Sequence, residues 1–284
     1  MTSVALPTPL VSAEQLIAAR AAGAMPLIVD CSFDLADAGA GERAFAQGHL
    51  PGAVYAHLDR ELAGAKTGRN GRHPLPARAD FAATLARLGV TPARAVVVYD
   101  AQGGMYAARA WWMLRWVGHR AVSVLDGGLG AWKAAGGALE TGDVASVAAT
   151  TAYPVGDSLV ATVDADTLLK SLGRVTLLDA RAGERYRGEV EPLDARAGHI
   201  PGARSRFFKD NLDAQGRFRP AAELRAAFTA FGAVPARVVH QCGSGVTACH
   251  NLLAMEVAGL SGSALYPGSW SEWSSDPARP VAVG

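Results

Sequence analysis

The chain has 284 residues, a formal net charge of +1, and a composition that is 50% hydrophobic and 19% charged. This balance indicates a globular protein that buries one large core or two of ordinary size, and it gives no overall field to attract nucleic acid or an anionic membrane. No apolar run approaches the roughly 20 residues of a membrane span, and the N-terminus lacks the pattern of a secretory signal. We therefore expect no nucleic-acid partner and no membrane association.

Three cysteines occur, at Cys31, Cys242 and Cys249. An odd and sparse set does not indicate a disulfide framework and suits a reducing compartment, so the predicted localisation is cytoplasmic. Their spacing fits no zinc site, and no metal is predicted.

The sequence contains the same pattern twice. The hexapeptide GHLPGA at 48–53 recurs as GHIPGA at 198–203, and the apolar run that ends at Asp30 has a counterpart that ends at Asp179. Two further pairs of segments follow in the same order, 95–99 with 237–240 and 124–128 with 264–268. Four matches in one order predict a duplicated domain. The histidines of the two hexapeptides are repeated as well, which favours a structural role for them.

Each copy alternates short β-branched runs with stretches of helical periodicity, which is typical of a parallel sheet flanked by helices. The predicted fold class is therefore α/β, with two tandem domains at 1–142 and 158–284 joined by a linker at 143–157 that is rich in small residues. In the second copy we predict a helix through Leu169 and then, in order, strand 175–178, helix 221–231, strand 238–240, helix 247–258 and strand 264–266.

The two copies differ at one chemically important position. Aligned without gaps, VVHQCGSGVTA at 238–248 lies over VVYDAQGGMYA at 97–107, so that Cys242 stands where the first copy has Ala101. This asymmetry predicts a catalytic C-terminal domain and a non-catalytic N-terminal one.

The segment around Cys242 is suited to hold negative charge. A strand is predicted to end at Gln241 and a helix to begin near Val246 or Thr247, with a glycine-containing turn between them. Such a turn directs successive N–H groups inward beside the positive end of a helix, and this favours a thiolate or a persulfide at its centre. The alternative is that Cys242 is a small buried apolar residue, as we expect for Cys249.

The segment CGSGVTA at 242–248 resembles the active-site loop of the 3-mercaptopyruvate sulfurtransferases. Their relatives, the thiosulfate sulfurtransferases or rhodaneses, have Arg and Lys at the positions of Gly243 and Ser244. The two hexapeptides and LYPGSWSEW at 265–273 resemble further signatures of this two-domain family. The resemblance implies two rhodanese-like domains. The neutral residues at the two loop positions favour mercaptopyruvate over the thiosulfate dianion as donor.

The resemblance also implies a mechanism. The Cys242 thiolate takes sulfur from the donor, pyruvate leaves, and the resulting persulfide passes its sulfur to a thiol such as thioredoxin or glutathione, or to cyanide. No metal or organic cofactor is implied. The implied holders of the charged sulfur are the backbone amides of the loop, at Gly243, Gly245, Val246 and Thr247.

Further site residues follow from the same resemblance. Arg185 takes the place of the family's substrate-binding arginine, with a surface ion pair to Glu184 or Glu189 as the alternative. A second arginine of the family is replaced by Leu193, and Arg196 is a candidate substitute at a shifted position.

The N-terminal half is expected to supply a histidine and an acid. His73 and Asp59 match the family's residues, and with Ser244 they would form a proton relay to the donor thiol. The alternatives are a solvated loop histidine for His73 and a helix-capping hydroxyl for Ser244.

A cysteine loop of this kind also raises three alternative functions. A phosphatase with this type of loop needs arginine six residues after the cysteine, and Ala248 stands there. A non-catalytic sulfur carrier or binding module is disfavoured because Cys242 and its loop are present. Thiosulfate sulfurtransferase, by the same persulfide mechanism, stays open as the alternative.

Overall fold

A computed structural model describes residues 6–142, 152–232 and 234–284 of the chain. It divides into two compact units, the first comprising Met1–Leu62, Pro76–Leu159 and Ala214–Phe218, and the second Ala63–Leu75, Val160–Asp213 and Arg219–Gly284. Within the described ranges, no helix combines the length and the apolar character needed to cross a bilayer.

The first unit is built on a five-stranded sheet in the order β1-β5-β4-β2-β3, with parallel pairing throughout. Strands β2 and β4 at its centre are buried along their whole length, as expected of a sheet covered on both faces. Its strands are β1 Leu10–Val11, β2 Leu27–Asp30, β3 Ala53–Tyr55, β4 Val96–Tyr99 and β5 Val122–Leu125. Its helices are α1 Ala13–Ala21, α2 Ala40–Gln47, α3 Arg78–Arg87, α4 Ala107–Trp116 and α5 Gly128–Ala134.

The second unit repeats this topology, with the order β6-β10-β9-β7-β8 and parallel pairing throughout. Its strands are β6 Ala161–Thr162, β7 Thr176–Asp179, β8 Arg204–Ser205, β9 Val238–Gln241 and β10 Ala264–Leu265. Its α-helices are α6 Ala165–Ser171, α7 Gly183–Arg187, α8 Ala221–Thr229, α9 Thr247–Val257 and α10 Ser269–Ser275, and short 3-10 helices occupy Phe208–Asn211 and Pro235–Arg237.

The repeated histidines pack in the same way in both units. The His49 ring stacks on Phe45 at a centroid distance of 3.7 Å, and its Nδ1 lies 2.8 Å from the Phe45 carbonyl oxygen. The His199 ring stacks on Tyr186 at 3.9 Å, with Nδ1 2.9 Å from the Tyr186 carbonyl oxygen. Each ring is thus fixed by packing and by a main-chain contact, which agrees with a structural role.

The predicted fold class is confirmed, and the elements predicted for the second copy occur with their ends shifted by at most two residues. The proposed domain boundaries stay a prediction, because 143–151 of the predicted linker lie outside the described residues. The compact units also contain two short segments that no sequence pattern indicated: 63–75 belongs to the second unit, and 214–218 to the first.

Candidate active site

Cys242 directly follows β9, at the point where the strand order of the second sheet reverses. Chain succession runs from β7 outward to β8 and then returns to β9 on the other side of β7. Asp179 and Gln241, the last residues of β7 and β9, pair with one another. Ligands of open α/β sheets bind at the carboxyl ends of strands beside such a reversal, so Cys242 occupies the position where the fold favours a site.

The turn after Cys242 is fixed by a glycine and by the segment before α10. Gly245 has φ +75, and a β-carbon there would collide with the carbonyl oxygen of Pro267. The Cys242 carbonyl accepts from the Trp270 N–H at 2.9 Å, and its own N–H donates to Ser269 Oγ at 3.1 Å. Ser269 has φ 54, a backbone conformation that non-glycine residues adopt mostly where the surroundings enforce it, as at functional sites.

The Cys242 thiol faces the loop amides. Its Sγ accepts a hydrogen bond from the Gly245 N–H at 3.1 Å, and the residue is 1% exposed. Helix α9 begins five residues after Cys242, at Thr247, which agrees with the predicted start. One loop amide, that of Gly245, is therefore directed at the sulfur. That the amides of Gly243, Val246 and Thr247 hold it as well stays a prediction.

His73 and Ser244 are brought together inside the second unit. His73 Nδ1 lies 2.7 Å from Ser244 Oγ, and both residues are buried. The neighbouring main chain is held as well: the Arg72 N–H donates to Ser271 Oγ at 3.0 Å, and a β-carbon at Gly71 would lie 2.8 Å from the Gly268 carbonyl oxygen. Ser244 makes no cap of α9, and His73 is no solvated loop residue, so neither structural alternative describes the pair.

Arg185 lies beside the loop, where it pairs with acids other than Glu184 and Glu189. Its Nη2 donates to Glu191 at 2.6 and 2.9 Å and to Asp194 at 3.4 Å. A β-carbon at Gly243 would lie 3.4 Å from Arg185 Nη1. A guanidinium is therefore positioned against the turn that carries Cys242.

Two arginines of this region were missed by sequence reasoning. A β-carbon at Gly243 would lie 2.7 Å from Arg72 Nη2, and Arg72 Nη1 forms an ion pair with Asp194. Arg181 is 3% exposed and donates three side-chain hydrogen bonds to the two carboxylate oxygens of Asp179. Burial opposes its charge, but the carboxylates of Asp179 and Glu191 raise the pKa of Arg181 overall. Arg72 could have been identified from the sequence, because it directly precedes the predicted site residue His73.

The Arg196 guanidinium is bound to the C-terminal part of the chain. Its guanidinium donates to the main-chain carbonyls of Trp273, Ser274, Asp276 and Arg279, at distances from 2.6 to 3.3 Å. Four of its five N–H groups thus bind carbonyls of the last turn of α10 and of the segment after it, so these contacts do not support Arg196 as a substitute substrate-binding cation.

Asp59 belongs to the first unit, where its backbone N–H donates to His57 Nδ1 at 3.1 Å. Its part in a proton relay stays a prediction.

Comparison with known proteins identifies the family of the chain. The family model described as the rhodanese-like domain matches residues 12–135 and 164–276. A protein of Pseudomonas aeruginosa, named a probable 3-mercaptopyruvate sulfurtransferase, is 48% identical over 97% of this chain and 98% of its own length. The 3-mercaptopyruvate sulfurtransferase of Homo sapiens is 37% identical over 92% of this chain and 89% of its own length.

A relative from Mycobacterium tuberculosis has a different name. That protein, provisionally named thiosulfate sulfurtransferase SseB, is 44% identical over 97% of both chains. Among solved structures, the 3-mercaptopyruvate sulfurtransferase from Leishmania major superposes with a TM-score of 0.81 and 30% identity, over 95% of this chain and 76% of that one.

Proposed function

Since the chain belongs to the rhodanese-like family, we propose that it is a sulfurtransferase that takes sulfur from 3-mercaptopyruvate through a persulfide on Cys242. The observation that carries this proposal is the Cys242 Sγ, which accepts the Gly245 N–H within a turn that follows the central strand β9. Amides that hold a thiolate also hold the persulfide that replaces it, because both carry one negative charge on sulfur.

The first half-reaction follows from these positions. The Cys242 thiolate attacks the donor sulfur, the carbon–sulfur bond breaks, and its electron pair goes to the carbon as the enolate of pyruvate. The proton of the donor thiol leaves sulfur, and one proton is added at carbon. The products are the Cys242 persulfide anion and pyruvate, so atoms and charge balance. The second half-reaction returns the thiolate when a thiol or cyanide takes the outer sulfur.

The His73–Ser244 pair provides the proton path in this proposal. The 2.7 Å contact joins a hydroxyl, which can both accept and donate, to a ring nitrogen that can take up the proton. The hydroxyl lies two residues from the nucleophile in the same turn. We therefore assign to Ser244 the removal of the donor thiol proton, with His73 as its acceptor.

Thiosulfate is the second candidate donor, because the guanidiniums of Arg72 and Arg185 near Gly243 attract any anion. The two donors differ in one respect that the site can distinguish: mercaptopyruvate carries a thiol proton and thiosulfate does not. For the acceptor we propose a thiol such as thioredoxin or glutathione, or cyanide, and for the location the cytoplasm.

A steady-state comparison of the two donors with one common acceptor tests the proposal. We expect wild type to prefer mercaptopyruvate, and Ser244→Ala to lower its kcat about 100-fold while changing thiosulfate turnover less than fivefold, since general acid–base catalysis contributes about 10²–10⁴-fold. Pyruvate release and acceptor sulfuration are the two readouts. A wild type that prefers thiosulfate, or a Ser244→Ala variant that slows both donors equally, would contradict the proposed donor and proton path.

A further inference from the structure

One carboxylate bridges the two arginines beside the cysteine loop. Asp194 pairs through Oδ1 with Arg72 Nη1 and through Oδ2 with Arg185 Nη2, the latter at 3.4 Å. Both guanidiniums also lie close to the Cβ position of Gly243. A planar, bidentate carboxylate is thus already bound between two cations next to the nucleophilic turn, with one oxygen on each.

We propose that Arg72 and Arg185 together bind the carboxylate of the sulfur donor, and that Asp194 occupies this anion site until the donor displaces it. This inference rests on the proposed function, because it concerns the donor of the same site. Arg72 would then take the role of the family's second arginine, which Leu193 replaces in this sequence. It stands 122 positions before Asp194.

The charges of the region explain why an acid must give way. Three cations, Arg72, Arg181 and Arg185, face three carboxylates, Asp179, Glu191 and Asp194, through ion pairs of at most 3.4 Å. This cluster is neutral, so an added carboxylate gains little attraction while all three acids remain in place. Displacing Asp194 removes the negative charge that lies between Arg72 and Arg185, and these two cations then attract the carboxylate of the donor.

Among the described residues, Asp194 is the acid of the three that is held by the fewest hydrogen bonds. Asp179 is fully buried and accepts the Arg181 N–H as well as its guanidinium. Glu191 accepts from the backbone N–H groups of Leu193 and Asp194, at 3.1 and 3.2 Å, besides both neighbouring arginines. Within the described parts of the chain, the Asp194 carboxylate contacts the side chains of Arg72 and Arg185. Burial raises the pKa of Asp194, although both arginines oppose this, which agrees with a charge that is stabilised incompletely.

Arg185 also has an N–H group that forms no hydrogen bond to these acids. Its Nη2 makes all three of the hydrogen bonds to Glu191 and Asp194, whereas its Nε is buried without a hydrogen-bond partner within the described part of the chain. A buried N–H group without a hydrogen-bond acceptor destabilises the protein. A bound mercaptopyruvate would supply an acceptor.

Substitution at Arg72 and Asp194 should act in opposite directions. We expect Arg72→Ala to raise KM for mercaptopyruvate at least tenfold with a smaller change in kcat, Arg72→Lys to recover part of the loss, and Asp194→Asn to lower KM severalfold. The matched control is Arg187→Ala, which removes an exposed arginine of α7 that pairs with Glu189. It should leave both constants within twofold of wild type.

Calorimetric titration with pyruvate provides a readout that does not depend on turnover. Arg72→Ala should weaken pyruvate binding about tenfold and Asp194→Asn should tighten it, with thermal unfolding used to confirm that each variant folds. The assignment is overturned if Arg72→Ala leaves pyruvate affinity unchanged, or if Asp194→Asn weakens it, since Asp194 would then support the arginines. If Arg72→Ala fails to fold, the Asp194→Asn result decides alone. Failure of the wild type to release pyruvate from mercaptopyruvate would refute the proposed function, whereas the titration would still measure the anion site.

Discussion

The two units contain the same turn at the end of their central strand, and they fill it differently. In the first unit the Asp100 carboxylate accepts four backbone N–H groups at 2.8 to 2.9 Å, from Gln102, Gly104, Tyr106 and Ala107. In the ungapped alignment of the copies, the corresponding amides belong to Gly243, Gly245, Thr247 and Ala248. Of these, Gly245 donates to Cys242 Sγ.

This difference shows what the turn binds. Four amides converge on negative charge in the first unit, where the protein's own carboxylate provides it. In the second unit the position of Asp100 is taken by Gln241, whose side-chain Oε1 and Nε2 are buried without hydrogen-bond partners in the described residues. An unpaired buried amide costs roughly 1–3 kcal/mol. We infer that a neutral residue is tolerated there because an acid would compete with the sulfur for the amides.

A second contrast concerns the thiols. Cys31 follows Asp30 at the end of β2, and burial, with Asp30 and Asp100 adding to it, raises the pKa of this thiol well above its ordinary range. The equivalent strand of the second unit, β7, ends at Asp179 and is followed two residues later by Arg181, where the first unit has Ser32. Arg181 therefore lies close to Cys242 in the second unit, whereas two acids lie close to Cys31 in the first.

The largest expected effect tests which cysteine reacts. Cys242→Ser should reduce sulfur transfer below detection, because a hydroxyl in place of the thiol cannot form the persulfide. Cys31→Ser and Cys249→Ser are the matched controls and should keep activity, although both residues are buried and their stability needs checking. Mass spectrometry after donor treatment should find one added sulfur atom on Cys242. If the added sulfur atom were found on Cys31, the reactive cysteine would belong to the first unit and the assignment of Cys242 would be wrong.

A substitution that gives the turn of the second unit the residue of the first tests the contrast between the turns. Gln241→Asp should place a carboxylate on the loop amides and lower kcat/KM about 100-fold, comparable with the loss of one oxyanion-hole donor. Gln241→Asn, of the same size and neutral, should change it far less. Steady-state kinetics and the yield of persulfide measure both variants. Equal losses in Asp and Asn variants would mean that side-chain length matters, and not charge.

The sequence predicted the parts of this site that lie close together along the chain or repeat between the copies. The Cys242 turn, the ends of β9 and α9, and the pairing of His73 with Ser244 all correspond to motifs that could be compared with a copy or with a family. The pairing of Arg72 with Asp194 joins positions 122 residues apart, and neither residue has a periodic or repeated signal. Arg196 could be proposed from proximity in sequence, yet main-chain carbonyls that no pattern identifies hold its guanidinium.

The smallest expected effect concerns the pH dependence of stability, in which the strands before the two turns, β4 and β9, should differ. His240 in β9 occupies the position of Tyr99 in β4, and burial, reinforced by Arg206, lowers the pKa of His240 to about 3. Its Nε2 lies 3.0 Å from Met255 Sδ, and its Nδ1 is buried without a hydrogen-bond partner among the described residues. Between pH 6.5 and 3 the unfolded chain binds a proton here that the folded chain does not bind, so this residue makes stability fall as pH falls, by at most about 1.4 kcal/mol per pH unit.

His240→Phe should therefore flatten the decline of stability between pH 6.5 and 5 by about 2 kcal/mol, whatever its effect at pH 7. Val98→Ala in β4 of the first unit is the matched control, because it shortens a buried side chain that carries no titratable group. Its effect should be the same at every pH. Denaturant unfolding at pH 7, 6 and 5 measures both variants. A His240→Phe variant with the pH slope of wild type would show that the imidazole does not become protonated on unfolding, or that it is already protonated in the folded strand.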